Sequence, residues 1–335
     1  MSARDLSHSQ DTNYGDQPYT AYDELRSFFE QIDDLTMIRH CLGSYIYDAP
    51  PLAQHVITNV IDTEIYDKNG KQRLTELGIV PFDSRDMGRL AELGEHGENY
   101  LRNLYYYHYR LAENAHLGFK KTREGKPATN RFGQTRFVTE QQARLLLENT
   151  FAWDIDPQRP ELGKCPVVLI GHGIHIDIQR LQKALGTDIY GLETMVRIID
   201  IQNLACISGL NPGDANIGLK TLSLRCGFAY RDPNTACNDA AYTAIAAVMM
   251  GLEYVLYANE PPLPSKTPQA VLDELEAHSQ SMTANGWGTT TFCTRCDSTA
   301  HTVDQCRVPV FCNICAARGR GRVAHSHRTA KCFHC

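Results

Sequence analysis

The stretch Val56-Ile-Thr-Asn-Val-Ile-Asp-Thr-Glu-Ile-Tyr66 is rich in apolar and β-branched residues, a pattern typical of a buried central strand. Two carboxylates, Asp62 and Glu64, stand in its second half. Because side chains alternate across a strand, residues two apart point to the same face and can hold their oxygens close together. A divalent cation keeps such a pair ionised at neutral pH, and oxygen ligands favour magnesium or manganese. The alternative is that both residues follow the strand in a solvated loop.

The length and composition of the chain fit one domain with an appendage, or two domains. The chain has 335 residues and an ordinary content of apolar and charged residues. No apolar run approaches the length of a membrane span, and the first ten residues lack the apolar core of a secretory signal. We therefore expect a cytoplasmic or nuclear protein with no membrane partner.

Charge and cysteine are unevenly divided along the chain. The net charge is −6, but residues 291–335 hold seven Lys or Arg and two Asp or Glu, whereas the remainder holds 26 and 37. A basic tail thus follows an acidic body. Seven of the twelve cysteines lie in the last 43 residues. Such clustering without a secretory signal indicates metal ligands rather than disulfides.

Proline, glycine and polar residues divide the chain into five segments. We expect a disordered leader at residues 1–20, a helical extension at 21–50, an α/β domain at 51–257, a linker with one short helix at 258–290 and zinc knuckles at 291–335. In the extension, apolar residues at three- and four-residue intervals predict a helix that packs on the domain. The Asn69-Gly70 pair after the first strand predicts an antiparallel hairpin.

Two further aspartates lie at the starts of predicted helices. A strand from residue 166 runs through Gly171-His-Gly-Ile-His-Ile-Asp177 into a helix, and a second α/β unit follows at residues 195–226. Asp239 then stands in the first turn of an Ala-rich helix. The alternative role for either aspartate is to stabilise a helix N-terminus, which acidic side chains do often.

Taken in order, these motifs resemble the DEDD exonucleases of the ribonuclease-H-like superfamily, in particular the histidine subtype. The matching motifs are Asp62-Thr63-Glu64 with a second strand at Leu74-Thr75-Glu76-Leu77-Gly78, then Gly171 to Asp177, then Asn238-Asp239-Ala240-Ala241. The similarity covers about residues 51–257, and within it the greatest likeness is to fungal Gfd-type ribonuclease-H-like domains. It implies an α/β fold with a ribonuclease-H-like mixed sheet flanked by helices, to which the zinc-stapled knuckles are added.

The resemblance also implies a chemistry. Asp62, Glu64, Asp177 and Asp239 would hold two divalent metals, magnesium or manganese. Such a metal pair stabilises both the attacking and the leaving oxygen of an in-line phosphodiester displacement. The substrate would be nucleic acid, hydrolysed from its 3′ end to nucleoside monophosphates.

The chain departs from the family at the general base. The histidine subtype carries a His five residues before the last aspartate, where this chain has Asn234, and the tyrosine subtype carries a Tyr at the position of Thr235. Asparagine cannot accept a proton from water, so loss of the base costs roughly a hundredfold to ten-thousandfold in rate. His172 and His175 are candidate replacements, although a histidine in a turn is more often a surface residue.

The spacing Cys293-x2-Cys296-x4-His301-x4-Cys306 is that of a retroviral-type zinc knuckle. Four such donors in a short loop can close tetrahedrally around zinc, and the loop then folds only with the metal. A second set has a longer inner loop and consists of Cys312, Cys315, His327 and Cys332. His325 competes with His327, which keeps the four-residue step to Cys332. Cys335 either begins a third knuckle or replaces another thiolate.

The inner loop of the second set carries Arg318, Arg320 and Arg322, separated by glycines. Each planar guanidinium can turn toward a phosphate oxygen, so the loop predicts weak, salt-sensitive binding of single-stranded nucleic acid, with RNA favoured. Phe292 and Phe311 are the stacking candidates beside the two sets. A solvated loop and a protein-binding zinc module are the alternatives.

Two functions agree with these patterns. In the first, the chain is a metal-dependent 3′-5′ exonuclease with an unconventional base. The four acidic residues favour it, because their mutual repulsion serves no purpose without metal. In the second, the chain is an adaptor that binds RNA or protein partners and whose nuclease fold is catalytically weak or inactive. Asn234 favours this second function.

Overall fold

The computed structural model describes residues 20–117, 129–213, 216–256, 264–282 and 286–334. The leader expected at residues 1–20 lies outside these ranges except for its last residue, and so does Cys335. A six-stranded sheet organises the body, in the order β4-β3-β2-β1-β5-β6. Its strands are β1 (Ile57–Lys68), β2 (Lys71–Asp83), β3 (Tyr107–Leu111), β4 (Thr135–Val138), β5 (Val167–Gly171) and β6 (Met195–Asp200).

The long hairpin of β1 and β2 is the antiparallel hairpin predicted from the sequence. Asn69 and Gly70 have φ angles of 56° and 77°, the positive values that a tight hairpin turn requires. β3 pairs antiparallel with β2, whereas β5 is parallel to β1 and β6 is parallel to β5. The sheet is therefore mixed, and the predicted α/β class is confirmed.

Helices cover both faces of the sheet. Those of the body are α1 (Ala21–Glu30), α2 (Asp34–Cys41), α3 (Ser84–Met87), α4 (Glu98–Leu101), α5 (Glu140–Thr150), α6 (Ile174–Leu185), α7 (Ile201–Ile207), α8 (Leu219–Arg225), α9 (Ala236–Leu256) and α10 (Pro268–Ser281). Two short helices, α11 (Asn313–Ala317) and α12 (Gly321–Ala324), lie in the tail. Both faces of the sheet are thus packed, as a central strand with few polar positions requires.

The alternation of β1 separates two apolar cores. Val56 and Val60 belong to the core that contains α9, whereas Ile57 and Ile61 belong to the core that contains α6. In contrast to the expectation from the sequence, α9 is long and apolar enough to cross a membrane. Its most apolar window is 72% buried inside the fold, however, so it serves as the core helix.

The N-terminal extension packs on the body, as predicted. Leu25 and Phe29 of α1 and Met37 of α2 are fully buried in the core of α9. Arg26 also donates a hydrogen bond from Nε to the carbonyl oxygen of Met195 in β6, at 2.9 Å. The extension therefore covers the outer side of β6.

The segment at residues 258–290 differs from a plain linker. Val271, Leu272 and Leu275 of α10 are buried in the same core as α9. Glu276 of α10 also pairs with Arg131, with 3.1 Å between the charged atoms. The short helix expected within the linker is present as α10, but it belongs to the core of the body. Residues 257–263 and 283–285 on its two sides lie outside the described residues. Three apolar positions in a short helix did not distinguish a core element from a surface one.

The chain after α10 extends the sheet at its other edge. The backbone N–H of Phe137 in β4 donates to the oxygen of Thr289 at 2.7 Å, and the N–H of Thr289 returns the bond at 3.0 Å. Arg136 also donates to the oxygen of Gly288 at 2.8 Å. The tail therefore leaves the body along β4.

Candidate functional site

Three carboxylates converge near the middle of β1. Asp62 and Glu64 are half-buried and lie inside the strand, which excludes the solvated-loop alternative. Asp239 approaches the same face from the first turn of α9. Oxygens of the three side chains lie within 4.8 Å of one another. The structure thus brings together three of the four acidic residues predicted as metal ligands.

Gly78 allows α9 to approach the sheet at this point. It lies opposite Asp62 in the hairpin. A Cβ atom at Gly78 would stand 2.2 Å from the carbonyl oxygen of Ala236, the first residue of α9. The absence of a side chain at Gly78 therefore positions the first turn of α9, and with it Asp239, against β1.

Glu76 is a buried acid that the sequence analysis did not assign to the site. Its Oε2 accepts the N–H of Ala236 at 3.3 Å and lies 3.0 Å from Nε2 of His108. The ring of His108 is held in turn by Thr135, 2.8 Å from Nδ1. Glu76 lies in β2, opposite Glu64 of β1. It therefore fixes the N-terminus of α9. The signal that was missed is an acidic residue in the mostly apolar part of β2, from Leu74 to Phe82.

Asp177 lies beside the three carboxylates but is held by other groups. Its Oδ1 accepts the backbone N–H of Thr63 at 3.0 Å and the hydroxyl of Thr63 at 2.5 Å, with Arg180 at 3.5 Å. This contact is available because β5 pairs with β1 only as far as Val60 and leaves the edge of β1 free beyond it. The N-cap of α6 is Gly173, so Asp177 does not cap its own helix.

Burial raises the pKa values of the acidic residues, and their proximity raises most of them further. The pKa of Asp62 lies well above its usual value because of burial and the charges of Asp177 and Asp239. Burial and the charge of Asp239 raise the pKa of Glu64 to about 8. Burial likewise raises the pKa of Asp239 to about 7. Carboxylates this close repel one another when ionised, so the cluster suits a cation.

At the position of the expected base, the backbone of Asn234 forms a hydrogen bond with Asp239. Asn234 has a φ angle of 62°, in the left-handed region that Asn tolerates. Its N–H donates to Oδ2 of Asp239 at 3.1 Å. The hydroxyl of Tyr230 donates to Oδ1 of the same carboxylate at 2.8 Å. Sequence reasoning missed Tyr230 because it lies outside the position where the tyrosine subtype carries its Tyr.

The two histidines considered as replacements bond elsewhere. Nε2 of His172 lies 2.7 Å from the carbonyl oxygen of Ile217. Nδ1 of His175 lies 3.1 Å from the hydroxyl of Tyr190, and His175 is exposed. Thr235 is fully buried. These contacts give no support to either histidine as the base.

The first Cys/His set forms a compact cluster. Ligand atoms of Cys293, Cys296, His301 and Cys306 all lie within 4.8 Å of one another. The N–H of Cys293 donates to the oxygen of Ser298 at 2.8 Å, which closes the turn that carries the first two cysteines. Three sulfur atoms and one imidazole nitrogen are a donor set that zinc prefers.

The second Cys/His set contains His327 and not His325. Ligand atoms of Cys312, Cys315, His327 and Cys332 lie within 4.8 Å of one another, and all four residues are buried. His325 is exposed, and its ring instead packs against Phe311 with 5.1 Å between ring centres. The structure therefore places His327, and not His325, with the three cysteines, and its role as a zinc ligand stays a prediction. The role considered for Cys335 lies outside the described residues.

The three arginines proposed to bind phosphate are exposed in the loop of α11 and α12. The ion pairs of the tail instead join Arg328 and Lys331 to Asp297. Phe292 is largely buried, with its ring stacked on Phe137 at 5.1 Å. Phe311 is 47% exposed. Of the two stacking candidates, only Phe311 is therefore accessible.

A comparison with protein families matches residues 57–250 to the family described as DNA polymerase III subunit epsilon-like, C-terminal domain. This match spans more than half of the chain. It includes Asp62, Glu64, Asp177 and Asp239 as well as Asn234, and it ends before both Cys/His sets. No curated protein matches the chain.

Proposed function

The chain belongs to the DEDDh family of DNA polymerase III epsilon-like exonuclease domains, and we propose that it hydrolyses single-stranded RNA from the 3′ end. Membership implies nuclease action on nucleic acid and the use of divalent metal. RNA as substrate, the 3′ polarity, a closer relation to fungal Gfd-type domains and a cytoplasmic or nuclear location belong to the proposal. The observation that carries it is the convergence of Asp62, Glu64 and Asp239 beside Asp177.

The acidic residues fit a pair of divalent cations. Asp62, Glu64 and Asp239 would hold them together with Asp177, because hard oxygen donors at this spacing are the ligands that magnesium and manganese prefer. When bound, such cations stabilise the attacking and leaving oxygens of a phosphodiester displacement. The choice of magnesium or manganese is part of the proposal.

The chain's own groups orient the carboxylates. Tyr230 and the N–H of Asn234 hold the two oxygens of Asp239, and Thr63 holds Asp177. The side chain of Asn234 does not accept a proton, and we propose that the attacking water loses its proton to solvent. This route is slower than catalysis by a positioned base, typically by a hundredfold to ten-thousandfold.

We propose that both Cys/His sets bind structural zinc and that the second set binds the single-stranded substrate. Two observations support this role: the donor atoms of each set lie close together, and the loop of the second set carries Arg318, Arg320 and Arg322. The guanidinium groups are suited to phosphate oxygens. A role of the zinc module in binding a protein partner is the competing proposal.

A second function is supported by a separate observation. Asn234 cannot serve as the base. Its φ angle is one that Asn tolerates and its N–H is hydrogen-bonded, so the backbone is well ordered there. An adaptor that binds RNA or protein partners and has little or no nuclease activity would agree with this residue. Retention of the acidic cluster favours the enzyme.

The experiment that tests the proposal is manganese-dependent degradation of a 5′-labelled single-stranded RNA. Wild type, Asp62→Ala and Asn234→His are compared in the full chain. We expect products that shorten from the 3′ end with wild type, no products with Asp62→Ala and faster degradation with Asn234→His.

Activity only in Asn234→His would identify an intact scaffold that lacks a base and would support the adaptor. Inactivity of all three proteins would overturn the exonuclease proposal. Degradation that Asp62→Ala leaves unchanged would show a contaminating nuclease.

A further inference from the structure

The second Cys/His set is docked on the body through its C-terminal side. Phe333 packs edge-on against Tyr66 in β1, with 4.8 Å between ring centres. Nζ of Lys331 donates to the carbonyl oxygen of Ala112, after β3, at 2.9 Å. His327 also stacks on His116 at 5.6 Å. These contacts connect the zinc module to the end of the β1-β2 hairpin.

Positive groups from the hairpin and from the module meet at this junction. Nζ of Lys71 lies 5.5 Å from the centre of the Phe333 ring. Nη1 of Arg320 lies 2.7 Å from Nε2 of His334. Arg318 lies two residues before Arg320 in the same exposed loop.

The arginines of the zinc module stay outside the ion pairs of the described tail. There, the ion pairs use Arg328 and Lys331, and none involves Arg318, Arg320 or Arg322. All three are exposed, and like charges concentrated on one exposed surface attract anions. The junction therefore has the electrostatic character of an anion-binding surface.

A second basic feature lies between this junction and the acidic cluster. A cavity of about 160 Å³ opens between the hairpin and α6, and Arg73, Arg180 and Lys183 line it together with Glu140. Nη1 of Arg180 donates to the oxygen of Thr63 at 2.7 Å, next to Asp62 and Glu64. Arg73 lies two residues from Lys71. Along the hairpin, the cavity thus lies between the strand positions of the carboxylates and the basic junction.

We propose that this cavity and the docked second zinc module form one continuous track for the sugar–phosphate backbone of a single strand. The basic track consists of Arg180, Lys183 and Arg73 near the carboxylates and Lys71, Arg318 and Arg320 at its far end. This proposal rests on the proposed nuclease function, because it places the 3′ end at the carboxylates. Guanidinium groups on glycine-separated positions suit a chain of phosphates.

The track implies that affinity depends on strand length. The four residue steps from Glu64 to Lys68 already span about 13 Å along β1. A strand that occupies only the cavity does not reach Arg318 and Arg320. Longer strands engage the zinc module as well, so the module acts as a fixed part of the binding surface.

The test measures binding of 5′-fluorescein oligouridine and oligothymidine of increasing length by anisotropy. All proteins are zinc-loaded full chains carrying Asp62→Asn, so that cleavage does not interfere. We expect Arg318→Ala/Arg320→Ala to weaken binding of long strands about tenfold at 0.15 M salt and to leave the shortest strands unchanged. The slope of log affinity against log salt should become shallower by about 1.4, since each phosphate contact on a single strand contributes about 0.7.

Two variants make the interpretation specific. Arg89→Ala/Arg144→Ala removes the same charge from exposed surface positions and should leave affinity unchanged. Phe333→Ala removes the contact with Tyr66 and should reduce affinity for long strands while the zinc content stays the same. Comparison of oligouridine with oligothymidine separates RNA from DNA as the preferred strand.

If Arg318→Ala/Arg320→Ala lowers the affinity equally for strands of every length, or does not lower it at all, the proposed track is wrong. Displacement of the strands by polyglutamate at equal charge concentration would also overturn it, because the surface would then select acidic protein as readily as a nucleic acid. Failure of the nuclease proposal is read separately, from degradation by the protein with Asp62 restored. Binding with no degradation would agree with the track and contradict the nuclease proposal.

Discussion

Asn234 is the residue at which this chain leaves its family. Its side chain cannot accept a proton, and its backbone N–H donates a hydrogen bond to Asp239. We expect the wild-type rate at saturating manganese to rise about tenfold per pH unit near neutrality, because the proton leaves to solvent. Asn234→His should raise the rate at pH 7 by up to about a hundredfold and should flatten the profile above about pH 6.5. Rates measured from pH 5.5 to 8.5 test both expectations.

The matched control is Asn234→Gln, which changes the side chain without adding a base. Histidine tolerates the positive φ angle of this position, so Asn234→His should fold. A wild-type profile that is already level, with no gain from histidine, would point to a base elsewhere in the chain.

Tyr230 also acts on the site as a single residue, through the hydrogen bond from its hydroxyl to Asp239. Tyr230→Phe keeps the ring that packs against Tyr242 at 4.9 Å but removes the donor. Because one hydrogen bond to a charged group contributes about 1.5–3 kcal/mol, we expect activity at limiting manganese to fall at least about tenfold. The manganese concentration for half-maximal activity should rise.

Tyr242→Phe is the control for this prediction. Its hydroxyl accepts the N–H of Arg231 and does not contact Asp239 in the structure. An equal loss of activity in both variants would assign the effect to packing rather than to the orientation of Asp239.

Among the elements, the crossing of α9 over the hairpin has the greatest effect on the site. A side chain at Gly78 would meet the backbone of Ala236, which cannot rotate away. We expect Gly78→Val to displace the first turn of α9 and to lower the free energy of unfolding by about 1–3 kcal/mol. Asp239 would move with it, and the thermal stabilisation by manganese should disappear. Calorimetry with and without manganese measures both effects.

Gly286→Ala serves as the comparison, because a Cβ there meets no atom within 4 Å. Preserved stabilisation by manganese in Gly78→Val would mean that α9 is not what positions Asp239. A loss in both variants would indicate general instability.

At the scale of the whole molecule, the acidic cluster links stability to pH. Burial and neighbouring charges raise the pKa of Glu64 to about 8, and burial raises that of Asp239 to about 7, from ordinary values of 4.5 and 3.8. At these two residues the folded state therefore binds more protons than the unfolded state between about pH 4 and 8. The contribution of the cluster to stability, without magnesium or manganese, should fall as pH rises through this window. Thermal unfolding at pH 5 and pH 8, with zinc retained, measures the fall.

Asp62→Asn should reduce this pH dependence, because it removes one buried charge from the cluster. Added manganese should restore stability most at pH 8, where the carboxylates are ionised. A wild-type stability that, relative to Asp62→Asn, does not fall from pH 5 to pH 8 without manganese would contradict the prediction.

The sequence predicted what depends on local pattern. The alternation of Val56 to Glu64, the Asn69-Gly70 turn and the order of the acidic motifs were sufficient for the sheet and its α/β class. The four-residue step to Cys332 favoured His327 over His325. Contacts between distant residues were not predictable in this way. Glu76 at the N-terminus of α9, the hydroxyl of Tyr230 on Asp239 and the docking of Phe333 on Tyr66 depend on how separate elements meet.

The bridge between Phe137 and Thr289 has a consequence for the solubility of the protein. A bare outer strand offers its N–H and carbonyl groups as a template on which another chain can add a strand. Here α1 shields β6, and the residues that lead into the tail pair with β4. Cutting the chain before residue 286 would expose β4, and the shortened protein would be prone to self-association and aggregation. The segment that leads to the zinc module thus also protects the edge of β4 from pairing with another molecule.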